Sequence, residues 1–346
     1  GSIAQVFQAK FPRDGEEVDV AVKVRRKGIS RLMQTDVQLL SWVARWAEWL
    51  RPELQWLAME HAVDNFSEFL IQQVDFRIEA ANLERIGENF RNVRDVGVPE
   101  VLFADEAVMV TTIAKGVSLS KFVEKRHPAF VRKLVFELLT DLMAKMILQD
   151  NFIHGDLHPG NVFVALKEDK KPAITLIDAG ISIEMSANLT KMARSSMLAA
   201  FRMDALSLGR AVVKLHTEEG HATHSRALET LEEKLGFLLL AGCFMCDKDI
   251  WGKMFETYSE YRSSRVSEYF ARMLMLLSEH KVRIAPSLWS LMTAFALVEG
   301  SVRELGFGVN VLRSATPYLY SPGDVLGRIL SDLRCTISER RNKLGL

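Results

Sequence analysis

The chain has 346 residues, 48% apolar and 25% charged, a balance that excludes extended disorder and suits one large domain or two lobes with a sizeable core. Acidic and basic residues number 44 each, so no net field favours nucleic acid, which is excluded as a partner class. Cys243, Cys246 and Cys335 are too few for a disulfide framework, and the longest apolar runs reach only about half the roughly 20 residues of a spanning helix.

Residue 1 is Gly, and GSIAQV reads as the interior of a structural unit, so an N-terminal truncation is expected. Residues 3–9 and 18–24 alternate as β-strands around turn chemistry at Asp14-Gly15, predicting a hairpin. From residue 30 to 89 the pattern is helical. Trp42, Trp46, Trp49 and Trp56 recur close to a 3.6 period and predict a packed helix face. Short strands follow at 98–103 and 107–113, then a strongly amphipathic helix over 119–150. VFVAL and AITLID form a second hairpin with a charged tip, and from residue 186 onward the chain is almost entirely helical. The expected fold is α+β and bilobal, protein-kinase-like, with extra helices inserted in the N-lobe (1–115) and a mostly helical C-lobe (116–346). Lys115-Gly116 breaks the pattern at the boundary.

The chemistry concentrates in FIHGDLHPGN, residues 152–161. Asn161 follows Asp156 by five positions, and Asp178 ends a strand in LIDAG after the hairpin. A carboxylate, an amide five residues on and a second carboxylate behind a hairpin is a phosphotransferase layout. Asp156 would orient or deprotonate an attacking hydroxyl, while Asn161 and Asp178 offer the oxygen ligands that magnesium prefers. Pro159-Gly160 tighten the turn. Lys23 in VAVKV is placed to contact nucleotide phosphates and to pair with a helical glutamate, for which Glu79 is the candidate. Ser2, Ala4, Gln5, Val6, Ala21, Lys23, Thr112 and Ala114 make up the expected nucleotide-contact set. Ala4 stands where a close-approach glycine is usual. Gly155 occupies the arginine position of His-Arg-Asp, which argues against control by a phosphorylated loop. No Ala-Pro-Glu segment follows Asp178, and no place for a peptide substrate is visible.

GSIAQV, VAVKV, QQVDFRIEAANLE, NFIHGDLHPGNVFV and LIDAGI, in this order, resemble the UbiB/AarF (ABC1-type) family of atypical kinases. The pairing of QQVD with DAG looks most like the second animal subtype of its mitochondrial members. Lys23 and Glu79 are 56 positions apart, and the family carries extra helices there. The resemblance implies a kinase-like fold binding ATP and Mg2+, with ATPase activity or small-molecule phosphorylation favoured over protein phosphorylation. It also implies a link to ubiquinone biosynthesis or mitochondrial lipid metabolism, a lipid or quinone-like partner, and peripheral contact with the inner mitochondrial membrane. This sequence departs from the family at three points. The family's Lys-x-Gly-Gln segment is expected upstream of residue 1. Gln73 and Asp75 stand where it has Glu-x-Asp. Ala179 stands where Phe usually follows the metal aspartate.

Two other readings compete: a nucleotide-binding scaffold without turnover, and an aminoglycoside- or choline-kinase-like enzyme, which the long Lys23–Glu79 insertion disfavours. His216, His221 and His224 lack a metal-ligand spacing. Cys243 and Cys246 read as part of a buried helix. The basic run at 23–31 reads as a solvated helix start.

Overall fold

The computed structural model describes residues 3–13, 15–51, 63, 67, 73–168, 171–218, 226–243, 266–280 and 311–319, with scattered positions between 282 and 306. β1 (Ala4–Arg13) and β2 (Glu16–Arg25) form the expected hairpin, in register from Ala4 opposite Arg25 to Arg13 opposite Glu16. Gly15 turns it with φ 86°, a conformation that costs glycine little; Asp14 lies outside the described residues. β5 (Val108–Thr112) pairs with β2, and β4 (Val101–Ala104) with β5, completing an antiparallel sheet of order β1-β2-β5-β4.

α1 (Ile29–Leu50) follows β2. Here the expectation of a packed tryptophan face fails. Trp42, Trp46 and Trp49 are 54%, 47% and 71% exposed, and Ala44 is the helix's buried residue. The rings meet one another instead, at centroid distances of 5.6 and 5.4 Å. Periodicity reports an apolar stripe but not what lies against it. Trp56 lies outside the described residues.

α2 (Phe76–Phe90) carries Glu79. Asp75 caps it, accepting from the Arg77 N–H at 3.0 Å while also pairing with the Arg77 guanidinium. The Arg77 hydrogen bond holds the Asp75 carboxyl below its usual value. Phe76, Leu83, Ile86 and Phe90 seat one face of the helix in the core.

The long helix expected at 119–150 is broken. α3 (Leu119–Glu124) ends, Arg126 takes φ 47°, and Pro128 is the N-cap of α4 (Ala129–Lys145). Proline disfavours helix for the residue before it and suits a helix start, so His127-Pro128 punctuates what periodicity alone runs together. α4 then widens into a π-turn, Met146–Asp150, that stops at Asn151 in a left-handed conformation and delivers the chain to β7 (Phe152–His154).

β8 (Val162–Leu166) and β9 (Pro172–Leu176) form the second expected hairpin, with Val162 opposite Leu176. Two-residue strands extend it on either side: β3 (Val96–Gly97), parallel to β9, and β6 (Val117–Ser118), antiparallel to β8. β10 (Ser182–Glu184) pairs with β7, setting Ser182 opposite His154. Helices α5 (Ala187–Phe201), α6 (Ala205–Glu218), α7 (Arg226–Cys243), α8 (Val266–Glu279) and α9 (Val311–Leu319) follow. α6 and α7 cross with backbones in contact: a Cβ on Gly209 would fall 1.7 Å from the Glu232 carbonyl, and one on Gly236 1.8 Å from that of Ala205. The α+β class expected from the sequence is the one observed.

Candidate active site

Three elements distant in sequence meet at Lys23. β2 presents its ammonium to Glu79 on α2, at 2.8 and 2.7 Å from the two carboxylate oxygens, and to Asp178 Oδ1 at 3.1 Å. Phe76, one turn before Glu79, places its ring 5.2 Å from the same ammonium. Glu79 is 2% exposed, so its charge depends on this partner. Two carboxylates face one ammonium. Burial works against the Lys23 charge, but Glu79 and Asp178 outweigh it and raise the lysine's pKa. The deficit falls on Glu79, pushed up to about 7 by burial first and by the Asp178 charge second.

The loop between β7 and β8 holds the second group. Asn161 is buried and donates its Nδ2 to the Asp156 carbonyl at 3.0 Å and to Asp156 Oδ2 at 3.2 Å. That leaves the Asn161 amide oxygen as the group available to a cation. The Ile177 N–H donates to the Asn161 carbonyl at 2.9 Å, tying this loop to the strand end that carries Asp178. His154 makes the same connection from below. Its Nδ1 accepts from the Asp156 N–H, so Nε2 carries the proton and donates to the Ile177 carbonyl at 3.0 Å. Full burial keeps this imidazole neutral by lowering its pKa. Asp178 itself sits at φ 59°, a left-handed conformation that aspartate tolerates better than most residues.

His158 lies over Gly160, where a Cβ would fall 2.6 Å from the ring, and accepts the Gly160 N–H through Nδ1 at 2.9 Å. Its Nε2 therefore bears the proton and lies 3.9 Å from Asp156 Oδ2. The gap is too long for a direct hydrogen bond, but short enough for one oxygen to lie about 2.8 Å from both groups and bridge them.

The structure brings together Lys23, Glu79 and Asp178, and separately Asp156 and Asn161, with the two groups joined through Ile177. In the sheet, cross-strand register puts Ala4, Val6, Ala21 and Lys23 on one face, because Ala4 opposes Arg25 and Val6 opposes Lys23. Gln5, opposite Val24, and Thr112, opposite Val20, direct their side chains to the other face. There the Thr112 hydroxyl accepts the Glu100 N–H at 2.9 Å. Thr111, opposite Ala21, lies on the Lys23 face. Ala114 lies in the link after β5, and Ser2 is outside the described residues. Sequence reasoning missed Asn82, whose amide reaches the Ala179 carbonyl at 2.9 Å; its spacing of one helical turn from Glu79 was the available signal.

Asn161 and Asp178 supply hard oxygen donors, and among the described residues no group of three or more His, Cys, Asp or Glu could hold a metal alone. One carboxylate and one amide fit magnesium, which is commonly shared with substrate phosphates, and do not fit zinc. The discounted histidines stay apart from the site. His216 Nδ1 donates to the Val212 carbonyl one turn back, and His221 and His224 are outside the described residues.

A mixed fold in which a strand lysine, a helical glutamate and a post-hairpin aspartate converge beside an Asp–Asn loop defines a protein-kinase-like architecture. Residues 1–212 match the ABC1 atypical kinase-like domain, and the chain belongs to that family. It is 33% identical over 221 residues to a probable protein kinase UbiB of Vibrio cholerae, covering 63% of this chain and 40% of the relative. It is 24% identical over 367 residues to a mitochondrial ABC1 family protein of Saccharomyces cerevisiae, covering 92% of this chain and 55% of that one. The chain thus spans about half the length of the curated relatives it matches. A Mycobacterium tuberculosis protein solved in complex with erythromycin shares the fold, with TM-score 0.55 and 17% identity over 93% of this chain and 76% of that one.

Proposed function

We propose that this chain binds Mg-ATP and transfers the terminal phosphoryl group to a hydroxyl, either water or that of a small, lipid-like acceptor. The observation that carries the reading is the convergence of Lys23, Glu79 and Asp178 beside the hydrogen-bonded Asp156–Asn161 pair. Lys23, held rigid by Glu79, would contact the nucleotide phosphates. Asn161 and Asp178 would hold magnesium, which offsets phosphate charge when bound. Asp156 receives the acceptor's proton as the new O–P bond forms and the bond to the departing ADP breaks. His158 Nε2–H steadies the acceptor oxygen from the other side of the 3.9 Å gap.

A lipid or quinone-like acceptor is favoured by the UbiB resemblance and by the absence of a peptide-docking segment after β10, where the chain enters α5 within three residues. A mitochondrial setting is motivated by the name of the yeast relative. Peripheral contact with a membrane suits the exposed side of α1, where Trp42, Trp46 and Trp49 are the kind of side chain that settles at a lipid interface. No described helix is long and apolar enough to cross a membrane.

A second reading, a nucleotide-binding scaffold without turnover, is favoured by buried Ala4 at the start of β1, where a close-approach glycine is usual. Magnesium-dependent phosphate release from ATP, with Asp178→Asn and Asp156→Asn as controls, separates the two. Release lost in both variants supports the enzyme. No release by the unaltered protein, with ATP still raising its melting temperature, supports the scaffold.

A further inference from the structure

We infer that Asn82 is a positioning residue that fixes the Asp178 carboxylate at the metal by latching the backbone just beyond it to α2. The inference rests on the assignment of Asp178 to magnesium made above.

Asn82 stands one turn after Glu79, so both side chains leave the same side of α2. Glu79 reaches Lys23, and Asn82 Nδ2 donates to the Ala179 carbonyl at 2.9 Å. The Ser182 hydroxyl donates to the same carbonyl at 3.2 Å, so both lone pairs of that oxygen are engaged. Asp178, whose peptide link leads directly into Ala179, occupies the left-handed region at φ 59°. A non-glycine residue persists there only when its surroundings over-determine it. On the carboxyl side those surroundings are the two donors on Ala179.

The side chain at 179 cannot supply the restraint. Ala179 is 0% exposed, and its methyl group has no reach into α2 comparable with that of an aromatic ring. Gly180 adds none, and a Cβ there would already touch Asp178 Oδ1 at 3.5 Å and Glu79 Oε2 at 3.7 Å. Position and charge are thus coupled through one helix: Glu79 sets the lysine and Asn82 sets the aspartate. A helix displaced from the sheet would release both.

The test uses the full chain carrying Asn82→Leu, which keeps the branching and heavy-atom count of the side chain and removes the donor, with Asn82→Gln, which restores a donor, and Ser182→Ala, which removes the second one. Two readouts are taken. In ligand-free protein, hydrogen exchange is followed in the peptide spanning 177–184. In the presence of ATP, the affinity for the nucleotide is measured with and without magnesium. Losing one net hydrogen bond predicts roughly three- to tenfold faster exchange in that peptide, with α5 unchanged. The magnesium-dependent gain in ATP affinity should fall by a similar factor, while magnesium-free affinity stays at the wild-type value. Asn82→Gln should recover part of both. Unchanged exchange and an unchanged magnesium increment in Asn82→Leu overturn the inference. A wild-type protein whose ATP affinity ignores magnesium overturns the metal assignment, and the positioning role with it; exchange in Asn82→Leu then reports only whether the latch is mechanical.

Discussion

Lys145 and Asp150 make the sharpest energetic prediction in the molecule. Their side chains are 7% and 5% exposed, and the ammonium lies 2.5 Å from Asp150 Oδ1. The same ammonium donates to the Asn89 carbonyl at 2.8 Å and sits 4.6 Å from the Phe90 ring, so it binds the end of α2 to the π-turn before β7 and the Asp156 loop. Lys145→Met keeps most of the length of the side chain and removes the charge. It strands a buried carboxylate whose Oδ2 already has no partner among the described residues. Breaking a buried pair from one side costs about 3–5 kcal/mol, and the bond to Asn89 is lost with it. Burial already raises the Asp150 pKa against the lowering effect of Lys145, so removing the lysine leaves only the raising influence. In the variant the folded state therefore binds a proton that the unfolded state has released, and its stability falls as pH rises through that window. Urea denaturation at about pH 5 and about pH 8 should show the larger deficit at the higher pH. Lys145→Met with Asp150→Leu should recover most of the loss, because no charge is then stranded. A single-variant cost below about 1 kcal/mol, or a double variant as unstable as the summed singles, would refute the reasoning.

The glycine pair at the α6–α7 crossing should tolerate no Cβ. Gly209→Ala or Gly236→Ala is expected to cost about 3 kcal/mol or more, read by thermal denaturation, because the new methyl meets backbone at 1.7 or 1.8 Å. Buried neutral His154 has a lowered pKa, so its contribution to stability is complete above the ordinary imidazole value of about 6.5 and is lost as pH falls from there toward its folded value. His154→Phe should flatten that limb of the pH–stability curve while loosening the Asp156 loop. Gly160→Ala should push the His158 ring off its seat, and on the proposed assignment, in which the ring steadies the acceptor, this lowers turnover on ATP with little change in KM.

The geometry of the candidate site was legible in the sequence because short motifs carry its residues: Lys23, Glu79, Asp156, Asn161 and Asp178 stand in two hydrogen-bonded groups joined at Ile177. The 56-residue gap between Lys23 and Glu79 hid nothing, since the strand and the helix each bore a local signature. The short strands were not legible. β3 and β6 have two residues each and β7 and β10 three, too few to show alternation, and their pairing is fixed by neighbours rather than by propensity. The break at 125–128 was written in Pro128 but outweighed by a strong apolar period on both sides. The tryptophan stripe was correct as a stripe and wrong as a packed face, because a hydrophobic pattern does not name its partner.

One helix explains why departures in the motifs need not disperse the site. α2 is held at successive turns by unlike contacts: Glu79 to Lys23, Asn82 to Ala179, Arg85 to Glu184 and over the Phe152 ring, and the Asn89 carbonyl to Lys145. These positions recur every three or four residues and so form a single stripe facing the rest of the molecule. An aromatic plug at position 179 would make one large contact, which a single rotamer change can undo. Four polar contacts along fifteen residues must break together for the helix to leave. The arrangement therefore favours one aligned state, in which Lys23 and Asp178 are set by the same rigid body. Regulation by swinging this helix would have to overcome the Lys145 contact at its far end as well as the Asn82 latch at its middle.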